Sequence, residues 1–490
     1  MFNKSGDSRQ TVEARKDLFG RTKLIAKKTD LSTDNVAKIL NDVIHTHKNN
    51  SEEIDYLHWY YRGKQPILYR TKKVKAGINN TVLENRAFEA VNFRVGYEYS
   101  TPVQYTNISE NSDLAYYIDL INAYSRVDGK NAKDAILAEW IYKCGVAYRF
   151  CMATEERTID DPPFYTAIMD PRSTFVVRTS GVDAKPLLAC SYAINKIKKD
   201  NKELKLTTYV IYTPAYIYEW EFDESEELDF TIKAPISIEE NGLKMIPIIE
   251  YSLNENLLGL IEVCMSLFNA INCVASNRVD GIEQFIQALL VFINCDLPIE
   301  DGETKLPENN DAVSVVGKLG MPASVKYLVA QLDQQHAQIT KEDLVNAYYD
   351  VLAIPGRRLR MSGGDTGRAV DLGEGWAAAE TSARLTEKYF ERSEYEYLKI
   401  VLNICRRTVG VDIGELTLKD IGVKFQRNRS DNMLVKSQTY KMLLDAGCDP
   451  ADAAVICELF ADPIGAAKRA LAWQGYLETK NNTEPQETTE

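Results

Sequence analysis

The sequence predicts an α+β protein that is mainly helical and elongated, with several structural parts rather than one compact core. Between about residues 153 and 250, short β-type runs alternate with Asp, Pro and Gly turns, a pattern typical of antiparallel strands. Residues 257–289 then carry apolar side chains at every third or fourth position, which predicts a helix about 45 Å long. The chain has 490 residues, more than the roughly 250–300 at which a single core stops growing. We therefore expect two or more structural units, or one elongated subunit of an assembly.

The composition is that of a folded protein, with 45% hydrophobic and 26% charged residues. The net charge of −13 argues against a protein that grips nucleic acid tightly, because such proteins need dense lysine and arginine. It leaves open a surface along which DNA slides without sticking. The nine cysteines form no CxxC pair and the N-terminus is polar, so we expect synthesis in a reducing, intracellular compartment. No window approaches the ~18 uninterrupted apolar residues of a membrane span, so we expect a soluble protein.

The first part of the chain reads as helices separated by short breaks. A helix is predicted over 31–50, and Gly63 and Pro66 break the helical pattern in the aromatic segment that follows. Further helices are predicted over 81–95 and 113–152, with a turn and a strand in the intervening GYEYSTPVQY. The β-type region described above comes next.

Beyond the long helix, the pattern alternates between short β-type runs and helices. A second helix is predicted over 341–353, with Thr340 ahead of Glu342 and Asp343 in its first turn, where acidic side chains favour the helix dipole. Another long helix is predicted over about 376–408.

The C-terminal part of the sequence predicts a strand pair, a helical unit and a polar tail. GELTLKDIGVKFQRN supplies the strand pair, and residues 431–478 read as compact helices. Residues 479–490 read as a disordered polar tail.

The histidines do not predict a metal site. His45 and His47 are two residues apart on a predicted helix, so they point to different faces and cannot chelate one ion. His58 and His336 are isolated in sequence, and HExxH, paired CxxC and EF-hand patterns are absent from the sequence. We therefore expect solvated or packed histidines, and no metal.

Catalytic side chains are equally sparse. The sequence has no GxSxG element and few histidines to activate a serine or cysteine. Asp160–Asp161 and Glu300–Asp301 are paired carboxylates, but each pair is flanked by Pro or Gly. Loop and capping roles are therefore favoured over acid–base chemistry.

A glycine-rich stretch, MSGGDTGRAVDLGEG, occupies residues 361–375. A phosphate-binding P-loop needs GxxxxGK[ST] after a strand. Here the spacing differs, Arg368 stands in the lysine position, Ala369 replaces the hydroxyl residue, and the preceding segment reads as a helix. A dinucleotide-binding loop is excluded on the same grounds. What remains is a connector of about twenty residues, either functional or an ordinary surface loop.

Several segments, in order over roughly residues 50–450, resemble portal proteins of tailed bacteriophages, the head–tail connectors of phages of Gram-positive bacteria. No single motif among them is catalytic, but together they are fairly specific. The segments are YYRGKQPIL, INNTVLENRAFEAVNFRVGYEYSTPVQY, IPIIEYSLNENLLGLIE, SNRVDGIEQFIQALLVF and VKFQRNRSDNMLVKSQTYKMLLDAG.

This resemblance implies an elongated portal subunit with wing, stem, clip and crown parts that forms a ring. The implied parts are an N-terminal wing over 1–250, a stem helix over 251–289, a clip over 290–335, a second stem helix over 336–354, a tunnel loop over 355–375, a long wing helix and strands over 376–430, and a crown over 431–478.

The resemblance also implies a function. Such rings, typically dodecamers, form a channel at the capsid vertex through which double-stranded DNA is packaged and ejected. The clip would dock terminase and later a head–tail adaptor, with major capsid and scaffolding proteins as further partners. The protein would be made in the host cytoplasm and reside in the virion, with no membrane partner. It would have no catalytic site and no cofactor, since the ATP hydrolysis that drives packaging belongs to terminase.

Within the implied tunnel loop, glycines would let the chain shift as a helical polymer passes through the ring. Two alternatives stay open: a nucleotide-dependent enzyme that uses residues 356–375, and a general oligomeric scaffold or adaptor without a channel. The residues expected to face DNA are Arg357, Arg358, Arg360, Gly363, Gly364, Asp365, Gly367 and Arg368.

Overall fold

A computed structural model of the chain has mixed helices and sheets, in agreement with the predicted α+β class. It describes residues 18–27, 29–72, 77–109, 111–158, 160–199, 202–223, 225–286, 334–356, 375–427, 433–457, 465–467 and 469–473, together with short strands between 289 and 328.

The described helices include a few of unusual length. They are α1 (Thr33–Tyr61), α2 (Arg86–Glu98), α3 (Leu114–Val127), α4 (Lys130–Cys144), α5 (Leu260–Ile286), α6 (Gln334–Val351), α7 (Trp376–Arg407), α8 (Met433–Asp445) and α9 (Pro450–Cys457). The strands are β1 (Leu24–Ala26), β2 (Gln104–Asn107), β3 (Val146–Ala153), β4 (Phe164–Met169), β5 (Thr174–Thr179), β6 (Pro186–Lys199), β7 (Lys202–Tyr212), β8 (Tyr216–Asp223), β9 (Ser237–Glu240), β10 (Ile248–Ser252), β11 (Leu289–Ile293), β12 (Cys295–Asp296), β13 (Ile299–Glu300), β14 (Glu303–Thr304), β15 (Val316–Gly317), β16 (Ser324–Leu328) and β17 (Ile421–Lys424).

The larger sheet has six strands in the order β1-β5-β6-β7-β8-β9. The strands from β5 to β9 pair antiparallel, as predicted from the alternating β-type runs. Strand β1 joins the edge in parallel, with Leu24 opposite Val177. A parallel partner so far away in the chain has no local signal in the sequence, and the sequence did not predict it.

A second sheet has the order β10-β3-β4 and is antiparallel. Its middle strand corrects the prediction of helix throughout 113–152, because the helical part ends at Cys144. Gly145 follows in the left-handed region, at φ 82°, and stops the helix. The β-type run VAYRFCMA then forms Val146–Ala153, whose first four residues are all buried.

Helix α1, of 29 residues, links the two hydrophobic cores. Val36 and Leu40 in its first half pack with Trp220 and other side chains of the six-stranded sheet. Leu57 and Tyr60 in its second half belong to the larger core, which is formed by α2 to α7 and the second sheet. One rigid helix therefore fixes the sheet against the helical body.

Helix α5 spans 27 residues, about 40 Å at 1.5 Å per residue, close to the predicted 257–289. Its segment Leu260–Glu283 is long and apolar enough to cross a membrane by length and composition alone. Core helices of soluble proteins pass the same test, and Ile261, Cys264 and Phe268 of this helix are buried in the larger core. Packing within the fold thus accounts for much of its apolar character.

Two sequence predictions in the second half need correction. Helix α6 begins at Gln334 rather than near 341, because QQHAQ contains no helix breaker. Thr340 therefore lies inside the helix rather than ahead of it, and its hydroxyl donates to His336 O at 2.9 Å. The strand pair expected in GELTLKDIGVKFQRN is a short 3₁₀ turn followed by β17 alone. Strand β17 pairs with the distant β2. Helix α7 agrees with the predicted 376–408, and α8 and α9 lie in the predicted helical unit.

Candidate functional site

All of the residues that were expected to face DNA lie in 357–374, outside the described residues. Their roles therefore stay predictions. The structure does describe both ends of this segment and the two helices, α5 and α6, that precede it. These elements form the candidate site.

Helices α5 and α6 pack side by side in opposite directions. Near one end of the pair, Arg278 of α5 donates to the side-chain oxygens of Gln334 at 3.2 Å and Gln338 at 2.5 Å. At the other end, the Phe268 and Tyr348 rings lie 5.4 Å apart in an edge-to-face arrangement. The short strands between 289 and 328 are the excursion that joins the two helices.

A polar stripe on α5 binds an extended segment of the chain, residues 79–85. The sequence predicted a helix from residue 81, but the helix begins only at Arg86. Asn272, Ser276 and Asp280 are four residues apart, so they share one helix face, and all three are buried. Each accepts a backbone N–H that an extended segment would otherwise leave unpaired. The bonds are Glu84 N to Asn272 Oδ1 at 2.8 Å, Val82 N to Ser276 Oγ at 2.9 Å and Asn80 N to Asp280 Oδ1 at 2.7 Å.

Glu89 of α2 fixes the last turns of α6. Its carboxylate accepts the hydroxyls of Tyr348 at 2.7 Å and Tyr349 at 3.0 Å, and a guanidinium N–H of Arg86 at 2.7 Å. Burial alone would raise the pKa of Glu89, but these hydrogen bonds hold it below its ordinary value. The carboxylate therefore stays charged and keeps α6 attached to α2.

The described residues that flank the segment 357–374 on its two sides lie close together. After α6, Ala353 has a φ of 48° and Ile354 N donates to Tyr349 O at 2.8 Å, which turns the chain back. Gly375, at φ 83°, precedes α7, and a Cβ built on it would lie 3.7 Å from the Cα of Pro355. Trp376 then packs against the Tyr97 ring, with centroids 5.7 Å apart. The base of the segment is thus a defined structure.

The histidines agree with the prediction that they are packed or solvated. His45 is exposed and His47 is buried, so they lie on different faces of α1. Burial lowers the pKa of His47 to about 3 and that of His58 to about 4; His58 stacks on Trp140 with centroids 5.0 Å apart. Within the described residues, no group of three or more His, Cys, Asp or Glu could hold a metal ion.

The other candidate chemical groups are structural where the structure describes them. Asp161 accepts Thr158 N at 3.0 Å and Thr158 Oγ1 at 2.6 Å, the turn role that the sequence favoured; Asp301 lies outside the described residues. The eight cysteines whose side chains the structure describes are free, and burial raises the pKa of Cys144 to about 11. A cleft beside Arg21 and His47 has a volume of about 20 Å³, room for about one water molecule.

Comparison with known families identifies the chain. A family model described as "Phage portal protein, SPP1 Gp6-like" matches residues 40–448, most of the sequence and all of the candidate site. The chain belongs to this family. The resemblance seen in the sequence is confirmed, and the chain is a member of the phage portal protein family. Portal proteins are generally structural rather than enzymatic.

Comparison with solved structures finds weaker likenesses. The portal chain is similar to one in "Neck of empty GTA particle computed with C6 symmetry", with 12% identity, a TM-score of 0.40, and coverage of 76% of this chain and 90% of the other. It is also similar to one in "Virion of native gene transfer agent (GTA) particle", with 10% identity, a TM-score of 0.37, and coverage of 76% and 89%. No curated protein matches the chain.

Proposed function

We propose that this portal protein forms a ring, typically a dodecamer, around a channel through which double-stranded DNA is packaged and ejected at the capsid vertex. The observation that carries the proposal is the family match over residues 40–448, which spans both α5 and α6 and the base of the segment 357–374. The protein itself supplies no catalysis; a separate terminase hydrolyses ATP and docks to the ring.

The parts of the subunit follow from this proposal. The N-terminal sheets and helices over 1–250 are the wing, 251–289 and 336–354 are the stem, and 290–335 is the clip. Residues 355–375 are the tunnel loop, residues 376–430 return to the wing, and 431–478 form the crown. The antiparallel contact of α5 with α6 supports the stem, and the adjacent ends at Pro355 and Gly375 support a loop that starts from one point.

Exposed apolar side chains on α5 support assembly into a ring. Val279 and Ile282, three residues apart and therefore on one helix face, are 39% and 47% exposed in the single subunit. Burial of apolar surface stabilises a protein by roughly 25 cal/mol per Å², so an exposed apolar helix face favours contact with another chain. Neighbouring copies in a closed ring supply that contact repeatedly.

The charge of the protein supports passage of DNA rather than tight binding. With a net charge of −13, the subunit repels phosphates at long range, and only local basic groups contact them. In the proposed loop these groups are Arg357, Arg358, Arg360 and Arg368, with Asp365 and the glycines between them. Few cations on a glycine-rich chain give weak contacts that a moving polymer breaks easily.

The proposed partners follow from the position at the vertex. Terminase and then a head–tail adaptor dock on the clip, and the major capsid and scaffolding proteins are further partners. The protein is made in the host cytoplasm and resides in the virion at the portal vertex.

Imaging of the purified protein tests the ring. Negative-stain images are expected to show closed rings with a central hole, whereas monomers or open filaments would overturn the proposal. Closed oligomers without a hole would favour a general scaffold. Calorimetry with ATP and Mg²⁺ on the same sample tests the enzyme alternative, and no binding heat is expected.

Deletion of Gly363–Gly367 tests the role of the loop. Rings are expected to remain intact while DNA packaging into proheads is blocked, because the loop no longer reaches the DNA. Deletion of five residues in 482–486, in the polar tail, is the control and should leave packaging normal. Normal packaging by the loop variant would refute the tunnel-loop assignment.

A further inference from the structure

Arg94 of α2 binds chain on both sides of the segment 357–374. Its side chain is buried, and one terminal nitrogen donates to Leu352 O, just after α6, at 2.5 Å. The same nitrogen donates to Ser382 Oγ, in the second turn of α7, at 2.8 Å. The other terminal nitrogen donates to Ala379 O at 3.5 Å. One guanidinium therefore joins the end of one helix to the start of the next.

An ion pair holds the guanidinium itself in place. Glu98, one turn further along α2, lies 3.3 Å from Arg94 Nη1. The Glu98 carboxylate is fixed in turn by the hydroxyls of Tyr142 at 2.6 Å and Thr386 at 3.0 Å. Arg94 is therefore held rigidly on α2, and it binds the residues that flank the segment 357–374 on both sides.

The acceptors explain why an arginine stands here. Leu352 O follows the last residue of α6, where helix carbonyls run out of helical N–H donors. The planar guanidinium presents several donors in a rigid fork, whereas a lysine presents one point charge on a flexible stem. Lysine would keep the pair with Glu98 but could not bond Leu352 O, Ala379 O and Ser382 Oγ together.

We propose that Arg94 is a positioning residue: it fixes the separation and direction of the two helix ends between which residues 357–374 run. This geometry does not depend on the proposed function. Only its consequence does, namely that Arg94 sets where the DNA-facing loop starts and ends. The competing explanation is that Arg94 is a buried charge that contributes to global stability and nothing local.

Matched variants separate the two explanations. Arg94→Lys keeps the charge and removes the fork, and α7 stays attached because Arg427 binds Glu380 at 3.1 Å. Ser382→Ala removes one acceptor and disturbs no charge. The control is Arg149→Lys, since Arg149 is also fully buried in an ionic cluster but has no described hydrogen bond to either helix end.

The test is hydrogen–deuterium exchange with mass spectrometry on the purified protein in its native oligomeric state. Arg94→Lys is expected to speed exchange at least tenfold at the amides of Leu352, Ile354 and Ala379, and Ser382→Ala several-fold. Arg149→Lys should leave peptides 348–356 and 375–386 unchanged. Unchanged exchange there in Arg94→Lys, or equal acceleration by Arg149→Lys, overturns the proposal.

The remaining outcomes also decide between the two explanations. If Arg94→Lys does not fold, Ser382→Ala alone is the deciding variant, and exchange equal to wild type in that variant overturns the proposal. The exchange experiment needs no DNA, so its failure is distinguishable from failure of the portal function. If Arg94→Lys blocks packaging but leaves exchange unchanged, Arg94 is not a positioning residue. The proposal that the protein forms a DNA channel would still stand.

Discussion

Arg149 Nη1 lies 2.8 Å from Glu394 Oε1, and both side chains are fully buried. Arg149 also pairs with Asp134, and Lys130 lies 2.6 Å from Asp134 and 3.2 Å from Glu394. The hydroxyl of Tyr105 donates to Glu394 at 2.7 Å. Two cations and two anions thus balance inside the larger core, and they connect α7 to α4 and to the second sheet.

Removing one member of this cluster should be costly. We expect Glu394→Gln to lower the free energy of unfolding by about 3–5 kcal/mol, because it leaves a buried cation without its partner. Burial alone would raise the pKa of Glu394, but Lys130 and Arg149 lower it to about 2, so the carboxylate is charged at neutral pH. Denaturant unfolding at fixed protein concentration measures the change.

The control for this prediction is an exposed ion pair on the same helix. Lys399 and Glu396 lie 2.5 Å apart with both side chains more than 40% exposed, and such pairs contribute about 0–1 kcal/mol. Lys399→Met should therefore have little effect. Equal losses in the two variants would show that the buried cluster has no special role.

The long helices could be predicted from the sequence because their signal is local. Apolar periodicity located α5 to within three residues at each end and α7 to within one. The parallel pairing of β1 with β5 and the pairing of β17 with β2 join residues far apart in the chain. These pairings depend on tertiary packing, which no short window of sequence contains.

The candidate site was less predictable for the same reason. The polar residues Asn272, Ser276 and Asp280, four apart in an apolar helix, are a signal visible in the sequence, but the extended segment that they bind was predicted as helix. Arg94 gave no such signal, because its acceptors Leu352 and Ser382 are 258 and 288 residues away. The glycine-rich stretch was recognised as unlike a P-loop, but its contacts lie outside the described residues.

Gly145 should not tolerate a side chain. It has a φ of 82°, and a Cβ there would lie 2.1 Å from Leu257 O. We expect Gly145→Ala to destabilise the protein by about 2–5 kcal/mol, since it combines backbone strain with overlap against another backbone segment. Thermal unfolding, with circular dichroism as the probe, measures the loss.

Gly96 provides the matched control for this substitution. It lies inside α2, with nothing within 4 Å of a built Cβ. Gly96→Ala should stabilise the protein by about 0.5–1 kcal/mol, because alanine costs less conformational entropy in a helix. If both alanine variants behave alike, close approach of the backbones is not the reason for glycine at position 145.

His47 should make stability depend on pH below neutrality. Burial lowers its pKa to about 3, well below the ordinary 6.5. Between pH 6.5 and 3 this imidazole is therefore protonated in the unfolded chain but stays neutral in the folded protein. The stabilisation is complete above pH 6.5 and is lost as the pH falls towards 3, by up to about 1.4 kcal/mol per pH unit. We expect His47→Phe, which keeps a ring against Phe175, to reduce this slope in denaturant unfolding between pH 6.5 and 4. The part that remains is due to His58, whose pKa burial lowers to about 4.

Tyr192→Phe is the control for the histidine. It removes the hydroxyl 3.3 Å from His47 Nε2 but leaves the titrating ring in place, so the slope should persist. A slope in His47→Phe equal to that of the wild type would assign the pH dependence to other groups.

The exposed apolar face of α5 should be required for assembly on the proposed ring. Val279 and Ile282 are 39% and 47% exposed, and two aspartates there would place charges where neighbouring copies meet, at a large desolvation cost. We expect Val279→Asp with Ile282→Asp to reduce the fraction of protein in rings at least tenfold, as measured by mass photometry. Ile232→Asp, at a site 80% exposed after β8, controls for added charge and should leave rings intact. Because the substituted side chains are partly exposed in the single subunit, the double variant should keep the wild-type circular dichroism spectrum. Full ring assembly by the double variant would exclude this face of α5 from the interface.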